Sequence, residues 1–199
     1  MNEKTPIKQN GKARVAVDGG VPLAIIGCDF RVASTDWRSV VLLSDSERCD
    51  LAASLSGSAG ARGLVVLETC NRVEWVIDAE RPGWVAELAR GEMLRRWRAS
   101  GQPGRVLPTP YRYVGDDAVR HLVRVALGLE SFVVGEREIA GQLNRAVAGA
   151  RAIGVSSSHL NALQTTIGRV GKRVQRLTRF GTASRGVHGL ASDVLRQEL

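Results

Sequence analysis

The chain has 199 residues, 44% of them hydrophobic, and 28 Lys+Arg against 20 Asp+Glu give it a formal charge of +8. That length suits one domain with a sizeable core, alone or with a helical appendage. No window approaches the length of a membrane span, and three cysteines without a CxxC exclude a disulfide framework and a structural zinc site.

Residues 1–20 are polar, lack the apolar core of a signal peptide and read as a mobile tail. VPLAIIGC is a short apolar run that predicts a first strand. From Asp36 to Leu55 the apolar spacing predicts a helix, with a break near Ser44–Ser46, and SGSAGARG reads as a loop. LVVLETC predicts a second strand and RVEWVID a third, close enough to form a hairpin. PGWVAELARGEMLRRWRA, with Pro82 at its start, predicts an amphipathic helix. VLPTPYRYV predicts a fourth strand, which Pro108 and Pro110 assign to a sheet edge.

The order β-α-β-β-α-β is the ferredoxin-like signature, so the fold class expected is α+β. After Gly115 only helical patterns follow, at Asp116–Leu127, Arg137–Ile153, Ser157–Arg179 and Val187–Leu199. In the third of these, Leu160, Leu163, Ile167, Val170, Val174 and Leu177 draw one seam. Arg169, Lys172, Arg173, Arg176 and Arg179 lie on the other side. A solvated face explains such a stripe, and so does a helix laid against a phosphate backbone; the single sign of all five charges favours the second.

The opening question of chemistry is Cys70, delivered by a strand to a turn with Arg72 two residues on. A reactive thiol at a cleft and a buried structural cysteine both fit this local pattern. Arg72 would favour the thiolate in the first case. His121 lies at the edge of an apolar helix face, where a satisfied structural histidine is the ordinary finding. GLESFVVGE follows, a glycine-hinged loop with Ser131 and Glu136, and Gln142 sits a turn and a half beyond; such loops fix small polar ligands well. Cys28 and Cys49 read as small core residues, and the four tryptophans as core. His159 reads as a group that caps or faces solvent at a helix start.

TCNRVE, HLVRVALGLESFVVGE, IAGQL and GKRVQRLT stand in the order and at the intervals of the glutamyl-tRNA reductase family, which the chain resembles from about Gly27 onward. The resemblance implies that family's N-terminal catalytic domain over residues 21–180, with the start of a connecting helix at 181–199. It implies that Cys70 is a nucleophile that takes the glutamyl group from glutamyl-tRNA as a thioester, and that His121 is important for activity. Thr69, Asn71, Arg72, Ser131, Glu136 and Gln142 would contact the substrate, with Arg137 and Glu138 in the positions of the family's Pro-Gln. Hydride from NADPH would then give glutamate-1-semialdehyde, the precursor of tetrapyrroles and haem. Basic helices would meet the tRNA. No metal is implied, and a reducing cytosol is the expected compartment.

The sequence departs from the family at three places. No GxGxxG follows a predicted strand, so the family's route to NADPH is not expected here. A separate chain carrying the dinucleotide-binding domain is one partner this leaves open; the next tetrapyrrole enzyme, glutamate-1-semialdehyde aminomutase, is another. Asp29-Phe30 replaces an Asn-His pair in GCDFRVAS, and Glu68 stands two residues before Cys70, where strand parity would put both on one face. Two further readings therefore accompany the reductase: a deacylase or aminoacyl transferase, and a tRNA-binding or regulatory module without catalysis.

Overall fold

The computed structural model describes residues 20–101, 106–131 and 138–178. Four strands, β1 (Leu23–Asp29), β2 (Ala61–Glu68), β3 (Arg72–Ala79) and β4 (Tyr111–Val114), form one sheet in the order β2-β3-β1-β4. All three pairings are antiparallel. This is the βαββαβ arrangement that the sequence predicts, with β4 at an edge.

Helices cover both faces of the sheet. On the first lie α1 (Thr35–Val40), α2 (Asp45–Ala59) and α3 (Pro82–Ala99). On the second lie α4 (Asp116–Ala126), α5 (Glu138–Ala152) and α6 (Ser158–Leu177). That double cover explains why LAII and LVVL run apolar without alternation: every residue of β1 is buried. Ala24, Ile26, Val66 and Trp75 pack on the first face, and Leu23, Ile25, Val65, Leu67 and Val76 on the second.

Several expected boundaries move. The expected break near Ser44–Ser46 is present and divides Asp36–Leu55 into α1 and α2, with Ser44 capping α2 with Glu47 in a reciprocal capping box. The carbonyls left over at α1 accept from buried indoles: Trp97 Nε1 donates to Trp37 O at 2.7 Å and Trp75 Nε1 to Val41 O at 3.2 Å. The expected loop SGSAGARG is the end of α2, closed by Gly60 at φ 66°, and the start of β2. Strand β2 ends at Glu68, so Cys70 stands beyond it in the hairpin turn, and the parity linking it to Glu68 does not apply. Strand β4 holds only Tyr111–Val114 of the expected run. Trp84 is 51% exposed, since α3 buries the Val85–Ala89–Met93–Trp97 stripe, and Cys49 is exposed rather than core. The helical pattern expected at Val187–Leu199 lies outside the described residues, as do Glu136, Arg137 and Arg179.

The N-terminus of α6 is tied to the sheet. A register shift at Ala61/Gly63 turns Arg62 onto buried Asp78, with Arg62 Nη2 at 2.5 Å from Oδ1, and His159 Nδ1 lies 3.0 Å from Oδ2. His159, 60% exposed at the start of α6, thus faces solvent as expected and also carries this contact. A Cβ on Gly63 would come within 2.8 Å of the Ser157 backbone nitrogen, which has no flexible end to move aside. Gly63→Ala is expected to cost about 1–3 kcal/mol in thermal or urea denaturation. Gly149→Ala, on α5 with nothing within 4 Å, is expected to gain about 0.5–1 kcal/mol.

Candidate functional site

The site is built from one end of the second sheet face. In the sheet register, Gly27 sits between Glu74 and Tyr111, and Asp29 is paired with Arg72. A Cβ on Gly27 would lie 2.7 Å from Glu74 Cγ and 2.9 Å from Tyr111 Cε2. Only glycine lets those two side chains meet across β1. Tyr111 donates its hydroxyl to Glu74 Oε1 at 2.7 Å.

The same oxygen accepts from Arg72 Nη1 at 2.9 Å and lies 2.8 Å from His121 Nε2. Arg72, Glu74 and His121 are all buried. The His121 ring stacks on Tyr113 with centroids 4.1 Å apart and planes at 16°. Burial pushes the Glu74 carboxyl up, but the His121 bond and charge, with Arg72 and Tyr111, outweigh it and hold the carboxyl at about 2. Burial, reinforced by the Glu74 charge, pushes the Tyr111 phenol far above its ordinary range, so it remains a donor. The Arg72 Nε and Glu74 Oε2 atoms have no protein partner among the described residues.

The Arg72 guanidinium also donates through Nη2 to the Glu130 carbonyl, which joins the sheet to the α4–α5 loop. The Glu130 carboxylate is gripped on one side by Arg124 Nε at 2.7 Å and on the other by Arg31 Nη2 at 3.1 Å. Arg31 is itself held by buried Asp29, with Nε 2.8 Å from Oδ2. The β1–α1 loop and the α4–α5 loop are thus clasped over Arg72. Ser131, next in the chain, is buried.

Cys70 is exposed at the tip of the β2–β3 hairpin, and its turn is pinned. Thr69 Oγ1 accepts from the Asn71 and Arg72 amides, both at 3.1 Å, and Thr69 N donates to Arg72 O at 2.9 Å. Phe30 N donates to Asn71 O at 2.9 Å, and Arg38 Nη2 to Cys70 O at 2.9 Å. The thiol therefore stands on fixed backbone with its sulfur open to solvent. By contrast, Cys28 faces the first core, where burial pushes its thiol up to about 12.

The structure groups the expected residues unevenly. Arg72 and His121 share Glu74, Ser131 adjoins the Arg72 contact at Glu130, and Thr69 and Asn71 build the turn of Cys70. Arg72 does not face the thiol as a free cation: its charge is spent on Glu74, and it is fully buried. Glu138 is exposed at the start of α5, and Gln142, one turn on, keeps a buried Oε1 without a partner among the described residues. Arg169, Lys172, Arg173 and Arg176 are exposed on α6, away from any Asp or Glu of that helix, which has none. Glu74, Tyr111, Asp29, Glu130 and Arg38 received no role from the sequence. A carboxylate at a strand position flanked by Trp75 and Val76 was the available signal for Glu74; Arg38 gave none.

Comparison with known proteins places this geometry in context. A family profile described as "Glutamyl-tRNAGlu reductase, N-terminal domain" matches residues 26–178. A glutamyl-tRNA reductase of Micrococcus luteus is 43% identical over 146 residues, which is 72% of this chain and 32% of that protein. One from Shewanella amazonensis is 33% identical over 165 residues, 81% of this chain and 38% of that protein. The solved glutamyl-tRNA reductase from Methanopyrus kandleri superposes with a TM-score of 0.64 at 27% identity, covering 90% of this chain and 40% of that one. The chain therefore spans about a third of the length of the curated relatives it matches.

Proposed function

Because the chain belongs to the family of the glutamyl-tRNA reductase N-terminal domain, we propose that it takes the glutamyl group of glutamyl-tRNA onto Cys70. The thiolate sulfur attacks the ester carbonyl carbon, the carbon–oxygen bond to the terminal ribose breaks, and the tRNA leaves with a protonated hydroxyl. A glutamyl thioester remains on Cys70. The observation that supports this most is the pinned turn with its exposed sulfur, set beside the clasped loop that carries Ser131. Thr69, Asn71, Ser131, Glu136, Glu138 and Gln142 are the proposed substrate contacts, with Arg137. Arg72 and His121 act through Glu74 as positioning residues, fixing the α4–α5 loop to the sheet.

A thioester is electrophilic enough to take a hydride, which is the step a reductase adds, with NADPH as the proposed donor and glutamate-1-semialdehyde as the product. The described residues do not fit a dinucleotide. The turn after β1, Asp29–Ser34, has no glycine to bring backbone against a pyrophosphate. The hydride step is accordingly assigned to polypeptide outside these residues or to a separate chain.

The tRNA would lie along α6. Its four exposed cations contrast with Arg95 and Arg96 on α3, which meet Glu92, and with Arg120 on α4, which meets Asp117. Incubation with tRNA carrying labelled glutamate is expected to move label from RNA to protein. Label released as free glutamate, with none retained on protein, would favour the deacylase reading. Lys172→Glu with Arg173→Glu is expected to weaken tRNA binding and to flatten its log–log salt dependence by about 1–2. An unchanged slope would remove α6 from the RNA surface.

A further inference from the structure

The large apolar side chains that stay exposed among the described residues are Val21, Phe30, Trp84, Val106 and Leu177. Val21 precedes β1 and Trp84 follows β3, which puts both at the end of the sheet away from the β2–β3 hairpin. Phe30 is at the hairpin end, and its place is fixed. Its amide donates to Asn71 O at 2.9 Å, so its backbone touches the residue that follows Cys70. The turn that carries it is wound around Asp29: Val32 N and Ala33 N donate to Asp29 O at 3.0 and 2.8 Å, and Arg31 N donates to Asp29 Oδ1 at 3.0 Å. Phe30 keeps 38% of its surface exposed, and the Arg31 guanidinium carbon stands 5.6 Å from the ring centroid. That guanidinium is held in turn by the Asp29 and Glu130 carboxylates. A rigid turn therefore presents a partly exposed aromatic ring, with a guanidinium over it, on the backbone beside an exposed thiol.

An acyl group carried on RNA is esterified to the ribose of the terminal nucleotide. When the Cys70 sulfur meets the ester carbon, the terminal base is only one sugar away, and it is single-stranded and able to unstack. Unpaired bases are held by stacking on aromatic rings and guanidinium planes, since every base has a π-face. We propose that Phe30, with Arg31 over its ring, is the platform on which the terminal adenine of the acyl-bearing tRNA stacks, setting the ester at Cys70. This deepens the reading of Cys70 as an acyl acceptor and rests on it for its catalytic meaning. Phe30 is a positioning residue: it holds the RNA end and takes no part in the transfer. In the family pattern that the sequence resembles, a histidine stands in its place, so the platform is read from this chain's own residue.

The test uses uncharged RNA, so it does not depend on glutamyl transfer. Two acceptor-stem hairpins with identical phosphates, one ending in adenosine and the other in an abasic ribose, are bound to the chain and read by fluorescence anisotropy at the same salt concentration. The ratio of their affinities cancels what the phosphates contribute. The wild-type chain is expected to favour the adenine-ended hairpin by roughly five- to thirtyfold, the size of one base–aromatic stack. Phe30→Ala is expected to equalise the two affinities, Phe30→Leu to lose most of the preference, and Phe30→Trp to keep or raise it. Equal affinities in the wild-type chain overturn the proposal, as does a Phe30→Ala protein that keeps the wild-type preference or a Phe30→Trp protein that loses it. Displacement of the adenine-ended hairpin by adenosine monophosphate at equal concentration also overturns it, the occupant then being a free nucleotide. Should Phe30→Ala not fold, as judged by circular dichroism, the Phe30→Leu and Phe30→Trp comparisons decide. A chain that keeps the preference yet fails in glutamyl transfer loses the acyl-acceptor reading alone, and one that transfers without the preference loses the platform alone.

Discussion

Glu74→Ala is expected to lose about 3–5 kcal/mol of folding stability, the cost of stranding a buried charge when its partner is removed. Arg72 and Glu74 are both fully buried, and Glu74 Oε1 gathers the Arg72 guanidinium, the Tyr111 hydroxyl and the His121 ring. Removing the carboxylate leaves the Arg72 guanidinium with only the Glu130 carbonyl among the described residues. Replacing both members, Arg72→Met with Glu74→Leu, is expected to recover much of the loss, because the pair's desolvation cost disappears with it. That double variant should nevertheless fail in glutamyl transfer, since the α4–α5 loop loses the buried Arg72 tie to the sheet.

The same carboxylate sets an acid limit. Its folded value of about 2 lies below the ordinary 4.5, so its contribution is present above pH 4.5 and is lost as pH falls towards 2. Urea denaturation across that interval should show a steeper loss for the wild-type chain than for Glu74→Gln. A loss of under about 1 kcal/mol for Glu74→Ala would mean that the network is solvated rather than buried.

The parts of this fold that were legible in the sequence are those written in local periodicity. The apolar runs of β1 to β3, Pro82 opening α3 and the 3-4 seam of α6 all specify their elements within a few residues. What was not legible depends on partners far away in the chain. The break between α1 and α2 was expected near Ser44–Ser46, but its support by Trp75 and Trp97, which satisfy carbonyls 34 and 60 residues away, was not. Gly27 looks like an ordinary strand glycine until Tyr111 and Glu74 are seen to meet over it. The α6 seam was drawn to Leu177, yet that residue is 71% exposed, because the core it faces ends near Ile167. At the site, the delivery of Cys70 by a strand to a turn was readable, while the pinning of that turn by Thr69 Oγ1 was not. The commitment of Arg72 to Glu74, and of Arg38 to Cys70, were not, since an arginine's partner is a fact of tertiary structure.

Cys70→Ser is expected to abolish retention of the glutamyl group, a larger effect on function than any other single change. Serine keeps the size and the pinned backbone but not the chemistry. A hydroxyl is a far weaker nucleophile near neutral pH without an adjacent base, and among the described residues the Cys70 sulfur has no hydrogen-bond partner that could serve as one. An oxygen ester, if it formed, would also be no more activated than the substrate. The free thiols of Cys28 and Cys49 provide internal controls, one sealed in the core and the other exposed on α2. The most direct measurement is peptide mapping of the wild-type chain after brief incubation with glutamyl-tRNA and acid quench. The account expects the glutamyl mass on the peptide containing Cys70, sensitive to hydroxylamine and missing in Cys70→Ser. Label on Cys49, or equal labelling of Cys70→Ser and the wild-type chain, would contradict it.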